Sequence, residues 1–510
     1  MPDTIRTIQG RVAYFTTGPV INRDVNGRLV PQVGFVEPTF PRGVQRIPVE
    51  ILGPTGAVLA NTITNDTGDY AVQINFGPNP ATQVRVRVQA RIQLPFGTIV
   101  RVLRDAAATT PYTHTSALGG IPANDTMQVD LNIALNDSAA AYAILDALYD
   151  AFITAKSGIN ATLPNVDVYW APGNGAASVF TPQVDFATLL IAGGVNGNPA
   201  SNQDAWDHGV IVRLLGEYLL HYFFGNPPPQ GANTNGGLLV PSVAWREGFL
   251  DYWSCLGRGN SEFFDTVGIG AQGRVVRFFN IESFFDATLP PVGPDDPNVY
   301  QSAAESGIGS RFTVAEMLWD ITDTGLTGQD DPLNFPVFLA IQKLRNIGVG
   351  RLPYLGTFLD RLTQDGSLDA VTINLLTLNP EDQGFRYPTS VASETVWPRP
   401  FLQGGQLGQP LVPPVDLTLS GNVDNSVNPE LGLGSLRYFS INVPAGGTLQ
   451  GTLTTAGNLK LELFDNGHNL ITTGTTSVIH IVENQAIFYF RVSSNGGTVN
   501  ADFDLRVTFN

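Results

Sequence analysis

The segment AWDHGVIVRLLGEYLLHYFFG, residues 205–225, places polar side chains at helical spacing within a mostly apolar run. Arg213, Glu217 and His221 follow one another at intervals of four residues, so a helix puts them on one face. A carboxylate and an imidazole at this spacing are able to hold a divalent cation. An arginine is always protonated and offers no lone pair, so Arg213 cannot ligate a metal.

A second segment, SVAWREGFLDYW, carries two carboxylates at the same spacing, Glu247 and Asp251. Apolar residues recurring at intervals of three and four predict a helix over about 206–224 and an adjacent helix over about 243–257. Arg246, beside Glu247, is interpreted as a solvent-facing residue and is assigned no role.

The elements around these helices belong to a stretch of mixed pattern, residues 137–396. The run DSAAAYAILDALYDAFITAK predicts a first helix, NVDVYW predicts a short strand, and 311–322 has the pattern of a further helix. We interpret 137–396 as one mainly helical α+β domain.

Residues 1–136 alternate apolar and polar side chains at period two, as in QRIPVEILG and GDYAVQINF, between the turn signals GPTG and NDTGDY. This pattern predicts strands, and NDTGD is interpreted as a tight turn rather than a calcium loop. The order G-x-V, IPVEILGPTG and T-x-x-x-G-x-Y resembles the carboxypeptidase regulatory-like (transthyretin-like) β-sandwich, which implies a spacer or adhesive module.

Residues 413–510 alternate in the same way, in LRYFSINVPAGGTLQGTLT, LKLELFDNGHNLI and AIFYFRVSS. Their order resembles the pre-peptidase C-terminal (PPC) domain, a small β-sandwich attached to many secreted peptidases. The Pro/Gly-rich stretch 397–412 is predicted to be a linker. The predicted fold class is therefore multidomain: a β-sandwich, a mainly helical α+β domain and a second β-sandwich.

The middle domain resembles secreted bacterial gluzincin-like metallopeptidases of the type WDxxVIxHEYGHY…EGxADYW…LWDxxD. Three landmarks match in order: WDHGVI at 206–211, EGFLDYW at 247–253 and VAEMLWDITD at 314–323. A zincin needs His-Glu-x-x-His on a helix, with two histidine ligands and a glutamate as general base for the metal-bound water. In gluzincins, a glutamate within Glu-x-x-x-Asp on the next helix is the third ligand.

Carried over without a gap from WDHGVI, the family's His-Glu-Tyr-Gly-His falls on Arg213-Leu214-Leu215-Gly216-Glu217. Both histidine ligands and the general base are thus replaced, while Glu247 and Asp251 keep the Glu-x-x-x-Asp spacing. The resemblance therefore implies a degenerate zincin-like site with no catalytic residue, no bound metal and no cofactor.

We hypothesise that Arg213, Glu217 and Glu247 form an ionic cluster where the metal of the family would lie. Without a metal, Glu247 is a buried carboxylate, which is costly unless it is paired. Arg213 supplies a permanent positive charge, and Glu217 is its i, i+4 partner. The cluster would tie the two helices together.

Three other interpretations stay open. Arg213 and Glu217 form an ordinary surface pair worth ~0.2–0.5 kcal/mol. Alternatively, Glu217, His221 and Glu247 form a residual divalent-cation site. A rival alignment gives Glu217 and His221 the places of the motif's glutamate and second histidine, but it requires Gly216 to stand where a ligand belongs.

Composition excludes several classes of partner. The net charge of −17 argues against nucleic acid and against anionic membrane surfaces. No apolar run approaches the length of a membrane span, and the start of the chain lacks a Sec-type signal pattern. The single cysteine, Cys255, forbids an intrachain disulfide and is expected to be a buried core residue.

We interpret the chain as a non-catalytic extracellular or cell-surface protein with a structural or adhesive role, exported by an unknown route. It would associate with itself, as in a bacterial fibre or other assembly, or with another surface protein or glycan. The low charged content, 14%, against ~25% in ordinary proteins, favours this class. Two alternatives stay open: a secreted zinc metallopeptidase with an atypical metal site, and a carbohydrate- or protein-binding module.

Overall fold

The structure is a computed structural model of the chain. It describes residues 5–17, 19–23, 29–35, 41–77, 83–94, 97–121, 126–135, 138–155, 162–195, 198, 201–224, 239, 241–267, 274–281, 310–322, 355, 358, 359, 362, 367, 401–402, 413–424, 436–465, 470–496 and 499–510.

Most described elements are strands, and the helices are few. The strands are β1 Ile5–Tyr14, β2 Pro19–Arg23, β3 Leu29–Phe35, β4 Arg42–Gly43, β5 Pro48–Leu52, β6 Val58–Ile63, β7 Asp69–Asn75, β8 Gln83–Gln89, β9 Arg91–Gln93, β10 Ile99–Leu103, β11 Thr113–Thr115, β12 Gly119–Gly120, β13 Thr126–Gln128, β14 Leu131–Ile133, β15 Asn165–Tyr169, β16 Val179–Pro182, β17 Phe186–Leu190, β18 Glu262–Val267, β19 Arg274–Asn280, β20 Phe401–Leu402, β21 Val415–Asp424, β22 Leu436–Val443, β23 Gly447–Thr455, β24 Leu459–Phe464, β25 Leu470–Gly474, β26 Ser477–Val482, β27 Ala486–Ser494 and β28 Asn500–Phe509. The α-helices are α1 Ala139–Ala155, α2 His208–Tyr218, α3 Pro241–Leu256 and α4 Arg311–Thr322, and there are a 3-10 turn, Asp204–Trp206, and a π-helical turn, Leu219–Phe223.

The chain divides into two compact units. The first unit comprises Met1–Phe223, Trp253–Phe279 and Pro290–Val299. The second unit comprises Phe224–Tyr252, Asn280–Leu289 and Tyr300–Asn510.

The first unit begins with sheets built from the strands that the period-two pattern predicts. One sheet has the order β13-β1-β14, with β4 and β7 also paired to β1, and another has the order β11-β8-β5-β6, with β12 paired to β8. Every second side chain of β8, at Val84, Val86 and Val88, is buried. This alternation gives the N-terminal region the β-sandwich character that the sequence predicts.

A third sheet of the first unit has the order β16-β17-β15-β10-β9, in which β10, β15 and β17 run parallel. Helix α1 is almost entirely buried. The sheet joins β9 and β10, which precede the predicted boundary at residue 136, with β15 and β17, which follow it. The predicted boundary therefore separates strands of one sheet, because alternation predicts a strand but not its partners.

The second unit contains two sheets from the C-terminal region, β20-β22-β27-β24-β25 and β21-β28-β23-β26. Their inward side chains form one apolar core drawn from Val415 to Phe509. The predicted β character of 413–510 is confirmed. Within the predicted linker 397–412, the short strand β20 pairs with β22, and the other positions lie outside the described residues.

The helices agree closely with the sequence. Helix α2 with its π-helical turn covers most of the predicted 206–224, α3 covers all but the last residue of the predicted 243–257, and α4 matches the predicted 311–322. Cys255 is fully buried, as expected. Among the described residues, no helix has the length and apolar character needed to cross a bilayer.

Candidate functional site

Helix α2, which carries Arg213, Leu214 and Glu217, packs through an apolar face. Ile211, Leu215 and Tyr218 are completely buried. Gly209 lets the helix approach strand β18, since a Cβ at this position would come within 2.9 Å of the Phe263 ring. This close contact holds the backbone of α2 against β18. The directions in which the polar side chains of α2 point are fixed as a result.

The three α2 residues that the sequence analysis aligned with the metallopeptidase motif have different environments. Leu214, which that alignment places opposite the general base, is 7% exposed and has no atom that accepts a proton. Arg213 and Glu217 are half-buried. The Arg213 guanidinium acts electrostatically on the carboxylate of Asp265 in β18, a partner that the sequence analysis did not identify.

His221, a candidate ligand, lies in the π-helical turn at the end of α2. Its ring centroid is 4.6 Å from that of Tyr222 and 6.0 Å from that of Phe180. The Tyr222 hydroxyl is 2.7 Å from the carbonyl oxygen of Gln183 and 2.9 Å from that of Phe186. Aromatic packing against the β16–β17 hairpin therefore positions this histidine.

On α3, the two predicted carboxylates are buried: Glu247 is 5% exposed and Asp251 is 0% exposed. Arg246, expected to face solvent, is 7% exposed, and its Nη1 donates to Oε1 of Glu247 at 2.6 Å. That expectation is wrong because every residue from Val243 to Cys255 is buried, so this part of α3 has no solvent face.

Arg311, the first residue of α4, lies close to both of these carboxylates. Its Nε donates to Oδ2 of Asp251 at 2.7 Å, its Nη2 donates to the same oxygen, and its Nη1 is 3.8 Å from Oε2 of Glu247. Arg246, Glu247, Asp251 and Arg311 are hereafter called the arginine–carboxylate cluster. Two guanidinium groups and two carboxylates thus meet in the interior, where each charge needs an opposite partner.

The hypothesised cluster of Arg213, Glu217 and Glu247 spans both units. Arg213 and Glu217 belong to the first unit and Glu247 to the second. The structure supplies Glu247 with other cations, Arg246 and Arg311. The link from Arg213 to Glu247 therefore stays a prediction.

A separate acidic group lies where the 3-10 turn enters α2. Asp204 in that turn, Asp207 directly before α2 and Asp265 in β18 bring carboxylate oxygens within 4.8 Å of one another. Asp204 and Asp207 are each 2% exposed. These three residues are hereafter called the aspartate cluster.

Burial governs the electrostatics of the aspartate cluster. It raises the pKa of Asp204 to about 6 and places that of Asp207 well above its usual range. Burial also raises the pKa of Asp265, against the opposing effect of the Arg277 and Arg213 guanidinium groups. Ionised carboxylates this close are costly unless a positive charge joins them.

Sequence reasoning missed the aspartate cluster. The available signal was Asp-x-x-Asp in QDAWDHG, directly before a helix. Asp265 is distant in sequence, and only the packing of β18 against α2 brings it to the other two.

Comparisons with known proteins identify no family for the chain. No family model matches it, and no curated protein matches it. A periplasmic inhibitor of g-type lysozyme from Aeromonas hydrophila, PliG, is 12% identical over 19% of this chain and 89% of that protein, with a TM-score of 0.16. The pre-peptidase C-terminal domain of a Bacillus anthracis collagenase is 11% identical over 18% of this chain and 89% of that domain, with a TM-score of 0.15. The shaft pilin spaA of Lactobacillus rhamnosus GG is 12% identical over 25% of this chain and 49% of that protein, with a TM-score of 0.15.

Proposed function

We propose that this chain is a non-catalytic structural or adhesive protein of the cell surface or extracellular space, built around an inactivated gluzincin-like domain. One observation carries the proposal. The two carboxylate oxygens of Glu247, the residue at the position of the family's third zinc ligand, face the guanidinium groups of Arg246 and Arg311.

These contacts oppose metal binding at Glu247. A carboxylate ligates zinc through lone pairs, and here one oxygen already accepts a charge-assisted hydrogen bond. The positive charges of Arg246 and Arg311 would also repel a divalent cation from the same place. The two guanidinium groups thus give the buried Glu247 side chain positively charged partners at the place where the family has a metal.

The motif helix supports the same conclusion. Leu214 replaces the general base with a core side chain, so no carboxylate stands there to activate a water. Arg213 replaces a ligand with a permanent cation. A domain that keeps the landmarks of a peptidase without these groups serves through its shape and surface.

Exposed apolar side chains on edge strands support association with other copies. Among the described strands, β6 and β26 each end a sheet. Ile479 and Ile481 of β26 are 57% and 70% exposed, and Val58 and Ile63 of β6 are 47% and 56% exposed. An apolar edge strand offers unpaired backbone groups to another strand, so the chain has surfaces suited to a fibre or other assembly.

Zinc content tests the proposal directly. Protein purified without chelators should contain far less than one zinc per chain by mass spectrometry, and it should not cleave an unstructured protein substrate. One equivalent of zinc, together with proteolysis that Glu247→Gln abolishes, would establish the rival function of a metallopeptidase with an atypical site.

A cleft in the first unit favours a second candidate function, a carbohydrate- or protein-binding module. It has a volume of about 540 Å³ and is lined by Gln9, Arg46, Tyr70 and Gln128, with Ile63 at its edge. Polar groups around a cleft of this size are suited to a small polar ligand. Retention of a glycan that Arg46→Ala and Gln128→Ala release would support this candidate.

A further inference from the structure

We propose that the aspartate cluster, Asp204, Asp207 and Asp265, is a calcium-binding site in the first unit. The site uses none of the residues that the resemblance assigned to the zinc ligands or to the general base. It does not depend on the proposed function, because a structural calcium ion is compatible with a scaffold and with an enzyme.

The positions of the donor atoms fit a single ion. Calcium binds oxygen ligands at about 2.3–2.6 Å, so two of its ligands lie up to about 5 Å apart. The three carboxylates provide oxygens that all lie within 4.8 Å of one another. Two of the three residues are almost completely buried, which distinguishes this group from solvated acidic side chains on a surface.

Two buried oxygens of the site accept no hydrogen bond. Oδ1 of Asp204, a residue only 2% exposed, has no donor among the described residues. Oδ1 of Asn202 is likewise buried without a donor, and the Asn202 side chain interacts with Asp204. Buried acceptors are normally satisfied, so Oδ1 of Asp204 is missing a positively charged or hydrogen-bonding partner. A calcium ion held by the three carboxylates supplies that partner.

The remaining contacts hold the carboxylates in place. Thr266 donates to Asp207 from its backbone N–H at 2.8 Å and from its hydroxyl at 2.9 Å. The Ser178 hydroxyl donates to Oδ2 of Asp204, which leaves Oδ1 available. Such outer hydrogen bonds orient the ligands of metal sites and are characteristic of a preformed site.

The charges and the donor types select calcium. Arg277 and Arg213 act on Asp265 and Arg258 acts on Asp207, whereas the described groups that act on Asp204 include no cation. Carboxylate and amide oxygens with no sulfur or imidazole form a hard donor set, which disfavours zinc. Calcium tolerates irregular geometry and ligands from separated segments, whereas magnesium demands near-ideal octahedral geometry.

Calcium titration of the full chain tests the proposal. Chelator-treated protein is titrated with calcium chloride by isothermal calorimetry, and its thermal unfolding is followed with and without 1 mM calcium, a concentration at which most extracellular calcium sites are occupied. We expect one binding event and a rise in unfolding temperature with calcium. Asp204→Asn and Asp265→Asn should each weaken this event at least tenfold, as loss of a direct ligand requires.

The exposed Asp69→Asn is the matched control, since Asp69 belongs to the NDTGD turn, the other segment of the chain resembling a calcium loop. The Asp69 variant should bind calcium as the wild type does.

In chelator, Asp204→Asn should unfold at the wild-type temperature or above, because a neutral amide removes a buried charge. This outcome shows that the variant is folded. Absence of binding at 1 mM calcium, equal binding by the Asp204 variant, loss of binding in the Asp69 variant or a preference for magnesium would each overturn the proposal.

Discussion

The Arg311 guanidinium donates to the Asp251 carboxylate, which is completely removed from solvent, so loss of the arginine removes a charged partner from a buried carboxylate. Removing one partner of such a buried pair typically lowers the free energy of unfolding by about 3–5 kcal/mol. We expect Arg311→Met to show a loss of this size in urea unfolding followed by circular dichroism.

The matched control is Arg506→Met, because Arg506 forms its ion pair with Asp416 on the surface, where the two side chains are 61% and 56% exposed. Solvent screens this pair, so its loss should leave the unfolding midpoint nearly unchanged. Equal effects of the two substitutions would mean that the arginine–carboxylate cluster contributes no more than a surface pair.

Asp146 in α1 makes the stability of the first unit depend on pH. Burial raises the pKa of its carboxyl from 3.8 to about 7, with Asp150 acting in the same direction, against the Arg42 guanidinium and the N–H of Gln45. The folded state therefore holds the proton more tightly than the unfolded state. The stabilisation is complete below about pH 4 and is lost as the pH rises towards 7.

The substitution Asp146→Asn isolates this effect, since an amide does not titrate. In urea unfolding at a series of pH values, the wild type should lose stability relative to the variant between pH 4 and 7. Parallel stability curves for the two proteins would show that Asp146 keeps an ordinary pKa in the fold.

At the level of single residues, sequence reasoning identified the positions but not their partners. It placed Glu247 and Asp251 on one helix and recognised that a buried Glu247 needs a cation. It assigned that cation to Arg213, whereas the described contacts of Glu247 are with Arg246 and Arg311. Arg311 is far along the chain, and no local pattern indicates which distant guanidinium meets a given carboxylate.

Among the elements, α3 and α4 pack closely because Gly248 has no side chain. A Cβ at this position would lie 2.5 Å from the carbonyl oxygen of Arg311 and 2.5 Å from Cβ of Val314. Overpacking of this kind typically costs about 1–3 kcal/mol. Alanine in a helix interior returns ~1 kcal/mol, so Gly248→Ala should leave the protein up to about 2 kcal/mol less stable.

Chemical denaturation of Gly248→Ala checks this prediction against Gly53→Ala. At position 53 the nearest contact of a Cβ is an ordinary 3.6 Å to Leu59, so little change is expected. A stability of Gly248→Ala at or above that of the wild type would show that α4 moves aside without cost.

Strand β26 is the element that we expect to mediate self-association. Lysine on an edge strand opposes pairing with another strand because it places a charge in the contact. The double variant Ile479→Lys, Ile481→Lys should therefore shift assemblies towards monomers in analytical ultracentrifugation and negative-stain microscopy. The control Thr454→Lys lies on β23, inside the same sheet, at an exposed position opposite Asp504 of β28. If the double variant assembled as the wild type does, β26 would not be part of the interface.

The elements themselves were largely predictable from sequence. Helix α4 matches its predicted range because the spacing of its apolar residues is compatible only with a helix. In β8, the alternation of apolar and polar residues correctly predicts which valines are buried. The pairing of β10 with β15 was not predictable, because a period of two is the same whichever sheet a strand joins.

At the scale of the whole molecule, the C-terminal sandwich has a core of its own. The apolar cluster of the second unit that includes Leu461, Phe490 and Leu505 draws all its members from residues between Val415 and Phe509. A segment of this size with a complete core is able to fold alone. Residues 413–510 expressed alone should give a dispersed NMR spectrum and one cooperative unfolding transition, and an unfolded spectrum would contradict this.

The buried pairing of Asp251 with Arg311 also limits which substitutions the second unit tolerates. A change at one of the two positions disturbs the charge pairing of a buried group, whereas apolar side chains at both positions remove the two charges together. Positions 251 and 311 are therefore expected to vary together among descendants of this sequence, and each is expected to stay constant while the other is unchanged.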